Sequence, residues 1–358
     1  MTALESSNPG QASFGFSGKG SEYFRIWIVN VALTIVTLGI YSAWAKVRRL
    51  KYFYQNTSLL GSHFDYHGDP KKILKGRLIA LGLFLAYKLS LETSPRLALV
   101  AIALLAAVLP WLIVRSFCFK LHNSSYRGLR FSFRGSTGEG YFSFLLMPVL
   151  TMVSLYLLAP LTHQNIKKYQ HRNSWFGNSR FGFDAGPGKF YAMYLRLLGL
   201  IMLGLVVPVA LAFTFKAQLT SLVALGHVPA DQQKNFFIGL FAIAFILFYL
   251  LLLALVGPWF AARSQNLVWN HTRLGEHQFV SRVRARRLLW IFLTNLLGTI
   301  FSLGLFKPFA DIRMARYRIE SMGVVPHGDI EQVLAVPEEE VTATGEGAAD
   351  LFDIDISF

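Results

Sequence analysis

Cysteine is nearly missing. Cys118 stands alone in 358 residues, which excludes an intrachain disulfide and a Cys-rich metal centre. Acidic residues are also few, 20 Asp and Glu against 35 Lys and Arg, and many of them fall after Pro337. Metal-binding spacings are absent: no HExxH occurs, and Ser17-Gly18-Lys19-Gly20 lacks both the spacing and the preceding strand of a phosphate-binding loop. His63 and His67 flank Phe64-Asp65-Tyr66, but positions i and i+4 of a strand lie about 13 Å apart, too far to share one metal. His163, His171, His271 and His277 read as scattered surface or loop histidines. No Ser–His–acid set and no carboxylate pair falls in the apolar stretches. These absences argue against an enzyme, and no metal or cofactor is expected. Residues 1–23 carry Glu5 and Glu22 and have neither a basic start nor a cleavage site, so the first apolar segment is expected to stay in the mature protein.

What is plentiful is apolar surface. The chain is 53% hydrophobic and 15% aromatic, with a mean hydropathy of +0.42, well above an ordinary soluble domain. Seven apolar segments stand out, at 24–45, 73–91, 97–117, 141–161, 190–215, 236–262 and 288–308. Helices are expected for all of them, since a bilayer leaves no other open structure with its backbone satisfied. The net charge of +15 lies between these segments. That placement suits loops facing anionic lipid headgroups and not nucleic acid. Loops 46–77, 115–140, 161–189 and 263–287 are all basic, so the positive-inside rule puts all four in the cytoplasm. That holds only if segments 24–45, 141–161 and 288–308 dip in and return, or lie at the interface. The competing topology has seven crossings and oppositely inserted units, as in many transporters.

The chain also repeats itself. NSSYRGLRFSF (Asn123, Gly128, Phe131, Phe133) has the spacing of NTSLLGSHFDY (Asn56, Gly61, Phe64, Tyr66). A third copy starts at Asn173 with Phe181 and Phe183, its glycine one place early at Gly177, and a fourth at Asn270 with Gly275 in place and Phe279 one place late. A shift of 117 superposes Phe14 on Phe131, Tyr52 on Tyr169 and Asn56 on Asn173; a shift of 265 superposes Asn30 on Asn295, Arg48 on Arg313 and Tyr52 on Tyr317. The division this gives is a disordered N-terminus at 1–13, units at 14–130 and 131–278, a partial unit at 279–323, and an acidic, largely disordered tail at 324–358. After each glycine comes a period-two stretch with its aromatics on one face. These strands are expected to form one small aromatic-rich sheet at the membrane surface, on an otherwise mainly α, polytopic membrane protein.

Two further patterns are candidate sites. Pro110-Trp111 with Arg115 and Pro258-Trp259 with Arg263 superpose under a shift of 148. Trp and Arg four apart share a helical face, and a proline inside a long helix frees a carbonyl and can kink it. They read either as paired gating kinks that bind an anionic headgroup or solute, or as interface anchors. Asn30 and Asn295 are polar at equivalent depths, which suits helix–helix glue or the lining of a polar path.

The copies NTSLLGSHFDYHG and NSSYRGLRFSFRG, the Phe-x-Phe-x-Gly openings and the stretch TLGIYSAWAKVRRLKYF together resemble the YjgN family of bacterial inner-membrane proteins, over roughly residues 14–323. The resemblance implies a bacterial cytoplasmic-membrane protein with several helices. It carries no established activity. A transporter or channel-like protein for a small solute, ion or lipid is the first expectation. A non-transporting scaffold or lipid organiser with a basic cytoplasmic face is the alternative. Anionic lipids are the expected partners and nucleic acid is not; protein partners and the oligomeric state are left open by the sequence.

Overall fold

The computed structural model describes residues 11–224 and 230–327. The expected disordered N-terminus and acidic tail lie largely outside them, although Ala12–Ser13 and Met322–Val325 form strands.

Each Asn–Gly–aromatic copy folds as a β-hairpin with a two-residue turn: β3 (Thr57–Leu59) with β4 (Ser62–Tyr66), β5 (Ser124–Tyr126) with β6 (Leu129–Phe133), β7 (Ser174–Phe176) with β8 (Ser179–Phe183), and β9 (Thr272–Leu274) with β10 (His277–Ser281). In the first two turns both central residues are left-handed, Leu60 and Gly61 at φ 49° and 74°, Arg127 and Gly128 at 51° and 82°. That geometry matches the twist of the flanking strands. Gly177 and Gly275 occupy the first turn position instead, at φ 54° and 57°. The displaced glycine therefore changes the turn and leaves the strand register alone. Phe279 is third in β10, as Phe64, Phe131 and Phe181 are third in theirs. It is Asn270 that is displaced by one, and His271 stands where the other copies have asparagine.

The hairpins join one antiparallel sheet of eleven strands. Its order begins at β1 (Ala12–Ser13), continues to β11 (Met322–Val325), runs down through β10 to β3, and ends at β2 (Gly15–Phe16). β1 pairs with β11 and β2 with β3. Only Phe14 separates β1 from β2, so the two ends of the order belong to one stretch of chain. The sheet returns on itself as a nearly closed barrel. This overturns the expected small surface sheet. The aromatics lie inside the barrel in two tiers. Phe14, Phe64, Phe131, Phe181 and Phe279 form a ladder with neighbouring ring centroids 5.9–6.4 Å apart. Phe16, Tyr66, Phe133 and Phe183 are buried one pleat further on. The first strand of each hairpin is only three residues long, too short to show a period in sequence, and the sheet was underestimated for that reason. Closure removes the exposed edges such short strands would otherwise present.

Between successive hairpins the chain leaves the barrel along one helix and comes back along another. The pairs are α1 (Gly20–Val36) with α2 (Ser42–Gln55), and α3 (Pro70–Thr93) with α4 (Pro95–His122). Next, α5 (Thr137–Tyr141), a π-helical turn (Phe142–Leu146) and α6 (Met147–Val153) run out, and α7 (Ala159–Arg172) returns. The last pairs are α8 (Pro187–Ala224) with α9 (Ala230–Trp269), and α10 (Ala285–Phe301) with α11 (Lys307–Glu320). Each helix packs on the next and α11 packs on α1, so the helices form a ring below the barrel.

Among the described residues, three helical stretches are long and apolar enough to cross a membrane: Pro95–His122, Pro187–Val206 and Ala242–Trp269. The competing topology with seven crossings is therefore set aside, and the dip-and-return reading of three segments is the one that matches. Segments 24–45, 141–161 and 288–308 each contain a reversal, because the strands before and after them pair within one barrel. α1 has 17 residues, about 25 Å at 1.5 Å per residue, short of the roughly 30 Å hydrocarbon layer. The three tips are apolar and bare: Leu38 is 94% exposed, Leu155 86% and Leu303 95%. Their backbones are closed internally, as lipid contact demands. The hydroxyls of Thr37, Ser154 and Ser302 accept the amides of Tyr41, Leu158 and Phe306.

Candidate functional site: a cationic cavity beneath the barrel

Four of the returning helices, α4, α7, α9 and α11, end against the barrel, and between them lies a cavity of about 320 Å³. Its wall is organised by α7. His163, Lys167 and His171 are spaced i, i+4 and i+8, which puts them on one face of that helix, and all three line the cavity with Gln170. Ser264 and Gln265 come from α9 and Arg318 from α11. Phe131, Phe181 and Trp269 form the barrel side of the wall, so the aromatic filling of the barrel separates the cavity from the far end of the molecule.

Among the described residues every charged group in the lining is basic, with no Asp or Glu. Arg318 is fixed by an exchange with Gln265: its Nε donates to Gln265 Oε1 at 2.7 Å, and Gln265 Nε2 donates to the Arg318 carbonyl at 3.2 Å. The Lys167 ammonium has no hydrogen-bond or ion-pair partner among the described residues. Burial, with the Arg318 guanidinium adding to it, pulls Lys167 below the usual amine range. The histidines are held neutral. Burial, then the Lys167 charge, takes His163 down to about 4 and His171 to about 3. His163 lies within 3.3 Å of Tyr194 Oη and 3.4 Å of Ser264 Oγ. His171 meets Thr272 Oγ1 at 3.2 Å and stacks on Phe183. Gln170 is 6% exposed, and its Oε1 is a buried acceptor that finds no donor among the described residues. Such an atom ordinarily carries a desolvation cost of about 1–3 kcal/mol.

A histidine whose folded pKa lies below its unfolded value binds fewer protons folded than unfolded. Its stabilising contribution is complete above pH 6.5 and is lost as pH falls toward 4. For His163 alone the loss is on the order of 3 kcal/mol by pH 4. Thermal unfolding in detergent is expected to show a midpoint that falls steadily between pH 7 and 5, and His163→Gln should flatten the fall. An unchanged slope in that variant would remove His163 from the account.

The residues singled out from sequence fall elsewhere. The Arg115 guanidinium sits 5.6 Å from the Trp111 ring and that of Arg263 5.9 Å from Trp259. Pro110 and Pro258 lie within continuous helices, and none of these six residues lines the cavity. Asn30 and Asn295 each join the two arms of a short hairpin. Asn30 donates to the Ala45 carbonyl at 3.5 Å and accepts from Arg48 at 3.3 Å; Asn295 donates to the Ala310 carbonyl at 3.1 Å and accepts from Arg313 at 2.7 Å. The motif asparagines Asn56, Asn123 and Asn173 cap α2, α4 and α7, each Nδ2 donating to a carbonyl four residues back. The cavity residues were missed because they are spread over three helices, but a signal existed. The shifts that superpose Tyr52 on Tyr169 and Tyr317 also place Phe53 on Gln170 and Arg318. The cavity polar groups stand where the copies stop matching.

Residues 11–351 match the family described as bacterial protein of unknown function, DUF898. The chain belongs to DUF898. Over 147 residues this DUF898 chain is 33% identical to the inner membrane protein YjgN of Salmonella typhimurium (strain LT2), a stretch covering 40% of this chain and 36% of that protein. It is 30% and 29% identical, over 144 residues, to the YjgN proteins of Escherichia coli K12 and O157:H7, with the same coverage. The aligned stretch thus spans little more than a third of the curated relatives it matches. No solved structure matches the chain.

Proposed function

We propose that this DUF898 chain is a multi-pass protein of the bacterial inner membrane that takes an anionic solute or lipid headgroup into the cavity beneath its barrel, as a transporter or channel-like protein. The observation that supports this reading is the cavity itself, with Lys167 and Arg318 in its wall and no carboxylate among the described residues that line it. Holding the Lys167 ammonium largely out of water is costly, and an anion beside it relieves that cost. The two longest hairpins, α3–α4 and α8–α9, are the crossing pairs in this reading. The basic barrel end faces the cytoplasm, and the five strand–helix–helix–strand passages are copies of one unit.

The filled barrel favours a second reading. With stacked rings across it and three hairpins too short to cross, the same site would hold a lipid headgroup without passing it on. Proteoliposomes separate the two. Transport predicts anion uptake that Lys167→Gln abolishes. Absence of uptake together with retained binding of anionic vesicles would leave the lipid organiser. Single cysteines at Ser62, Ser179 and Asn270 in a Cys118→Ser background should all label from the cytoplasmic side; labelling of Ser62 and Ser179 from opposite sides would end both readings.

A further inference from the structure

The surroundings of Lys167 bear on more than the sign of the ligand's charge. Lys167 lines the cavity, and its amine has no hydrogen-bond or ion-pair partner among the described residues. One turn to either side on α7 are His163 and His171, both held neutral. From α11 comes Arg318, a permanent cation already bonded to Gln265. From α8 comes Tyr194, behind His163. The other elements packed on α7 or around the cavity add no further charged group to its described lining. Burial and the Arg318 charge therefore disfavour the protonated amine, and no lining group favours it. An ammonium so placed gives up its proton more readily than one in water. An anion reverses the balance, because it is the one partner that favours the charged amine. Linkage makes the effect mutual. A ligand that stabilises the protonated form binds with uptake of a proton wherever the free amine is not already fully charged.

We infer that the cavity binds its anion together with a proton, which Lys167 accepts, so that the proton is a co-ligand of the site. This rests on the anion reading above and adds a second ligand to it. Arg318 cannot take the role, since a guanidinium keeps its proton throughout. His163 has both ring nitrogens engaged, with Tyr194 and Ser264. A monovalent anion that arrives with one proton brings no net charge into the cavity. A transporter built on this site would move the pair without moving charge.

The test is titration calorimetry on the full chain in a neutral detergent from about pH 7 to 10, where the histidines stay neutral and an amine titrates. The probes are nitrate and sulfate, because neither titrates there. Each pH is measured in two buffers of different ionisation heat, so that the protons taken up can be counted. At least one probe is expected to bind with uptake of about half to one proton, its affinity then falling by up to about tenfold per pH unit. Lys167→Arg fixes the charge; it should keep the anion, take up no proton and lose the pH dependence. In Lys167→Gln binding should weaken by about tenfold or more, and what remains should not vary with pH; this variant decides the matter if the arginine does not fit. Anion binding by the native chain without proton uptake at every pH would overturn the co-ligand inference and leave the anion site standing. Proton uptake that persists in either Lys167 variant would overturn the assignment to Lys167. Failure of both probes to bind at any pH would overturn the anion reading itself.

Discussion

A chain lacking everything through Phe16 is expected to lose its monomeric fold. The segment 12–16 pairs with β11 on one side and β3 on the other, and the Phe14 amide adds a further bond to the Met322 carbonyl. Its removal takes Phe14 from the ring ladder, where it stacks 6.1 Å from Phe64. It also takes Phe16, which is 6% exposed and packs with Tyr23, Tyr52, Phe53 and Ile312. Deleting a buried phenylalanine ring costs roughly 3–5 kcal/mol, so two rings and their ladder bonds approach the 5–15 kcal/mol that holds a typical domain together. The loss also bares β3 and β11 side by side, and unpaired edges recruit other chains. The truncated protein should elute from size-exclusion columns as oligomers, with a thermal midpoint at least 10 °C lower, and a peptide of residues 11–19 should restore part of the monomer peak. A truncated chain that keeps its midpoint and its monomeric elution would show that the barrel does not need this seam.

The second large effect is expected at Phe181. It is 6% exposed, lies 6.4 Å from Phe131 and 5.9 Å from Phe279, and forms the barrel side of the cavity wall together with Phe131. Phe181→Ala should cost about 3–5 kcal/mol in unfolding measurements, and Phe181→Leu only about 1 kcal/mol, because most of the volume is kept. The double variant Phe131→Ala/Phe181→Ala should do something more. It joins the cavity to the barrel interior and gives the anion a route that the native rings close. Proteoliposomes carrying it should leak the anion without saturation, while those with native protein should not. A loss below 1 kcal/mol for Phe181→Ala would mean that the lumen is not packed by these rings.

Much of the architecture could be read from the sequence, and for identifiable reasons. The repeated Asn–Gly–aromatic spacing marks hairpins because two-residue turns demand left-handed backbone and strands alternate their faces. The equal basic loops pointed to a shared side of the membrane, and the segments ending in Leu38-Gly39 and Leu303-Gly304 do reverse there, with glycines at φ 92° and 93°. Tyr156 holds the corresponding place in the third hairpin at φ 66°; a conformation of that kind is costly for a residue with a side chain, and no glycine signal announced the turn. The sheet was underestimated because strands such as Thr57–Leu59 and Ser174–Phe176 are too short to carry a pattern. The cavity was illegible for a different reason. His163, Lys167 and His171 look like ordinary polar residues on a basic helix, and only the ring of helices shows that their face turns inward toward Gln265 and Arg318.

The barrel's seam sets a schedule for biosynthesis. Among the described elements β1 and β2 leave the ribosome before the others, yet the partner of β1 is β11, the last of them. Throughout translation the opening strand must wait while hairpin after hairpin is added, and the circle can shut only after Val325 has emerged. The helical hairpins are therefore made and neighbouring before the barrel exists, so their ring acts as the jig on which the sheet is assembled. Contacts of such long sequence separation form slowly, which gives the cell a long interval in which the unfinished edge of this protein stands open.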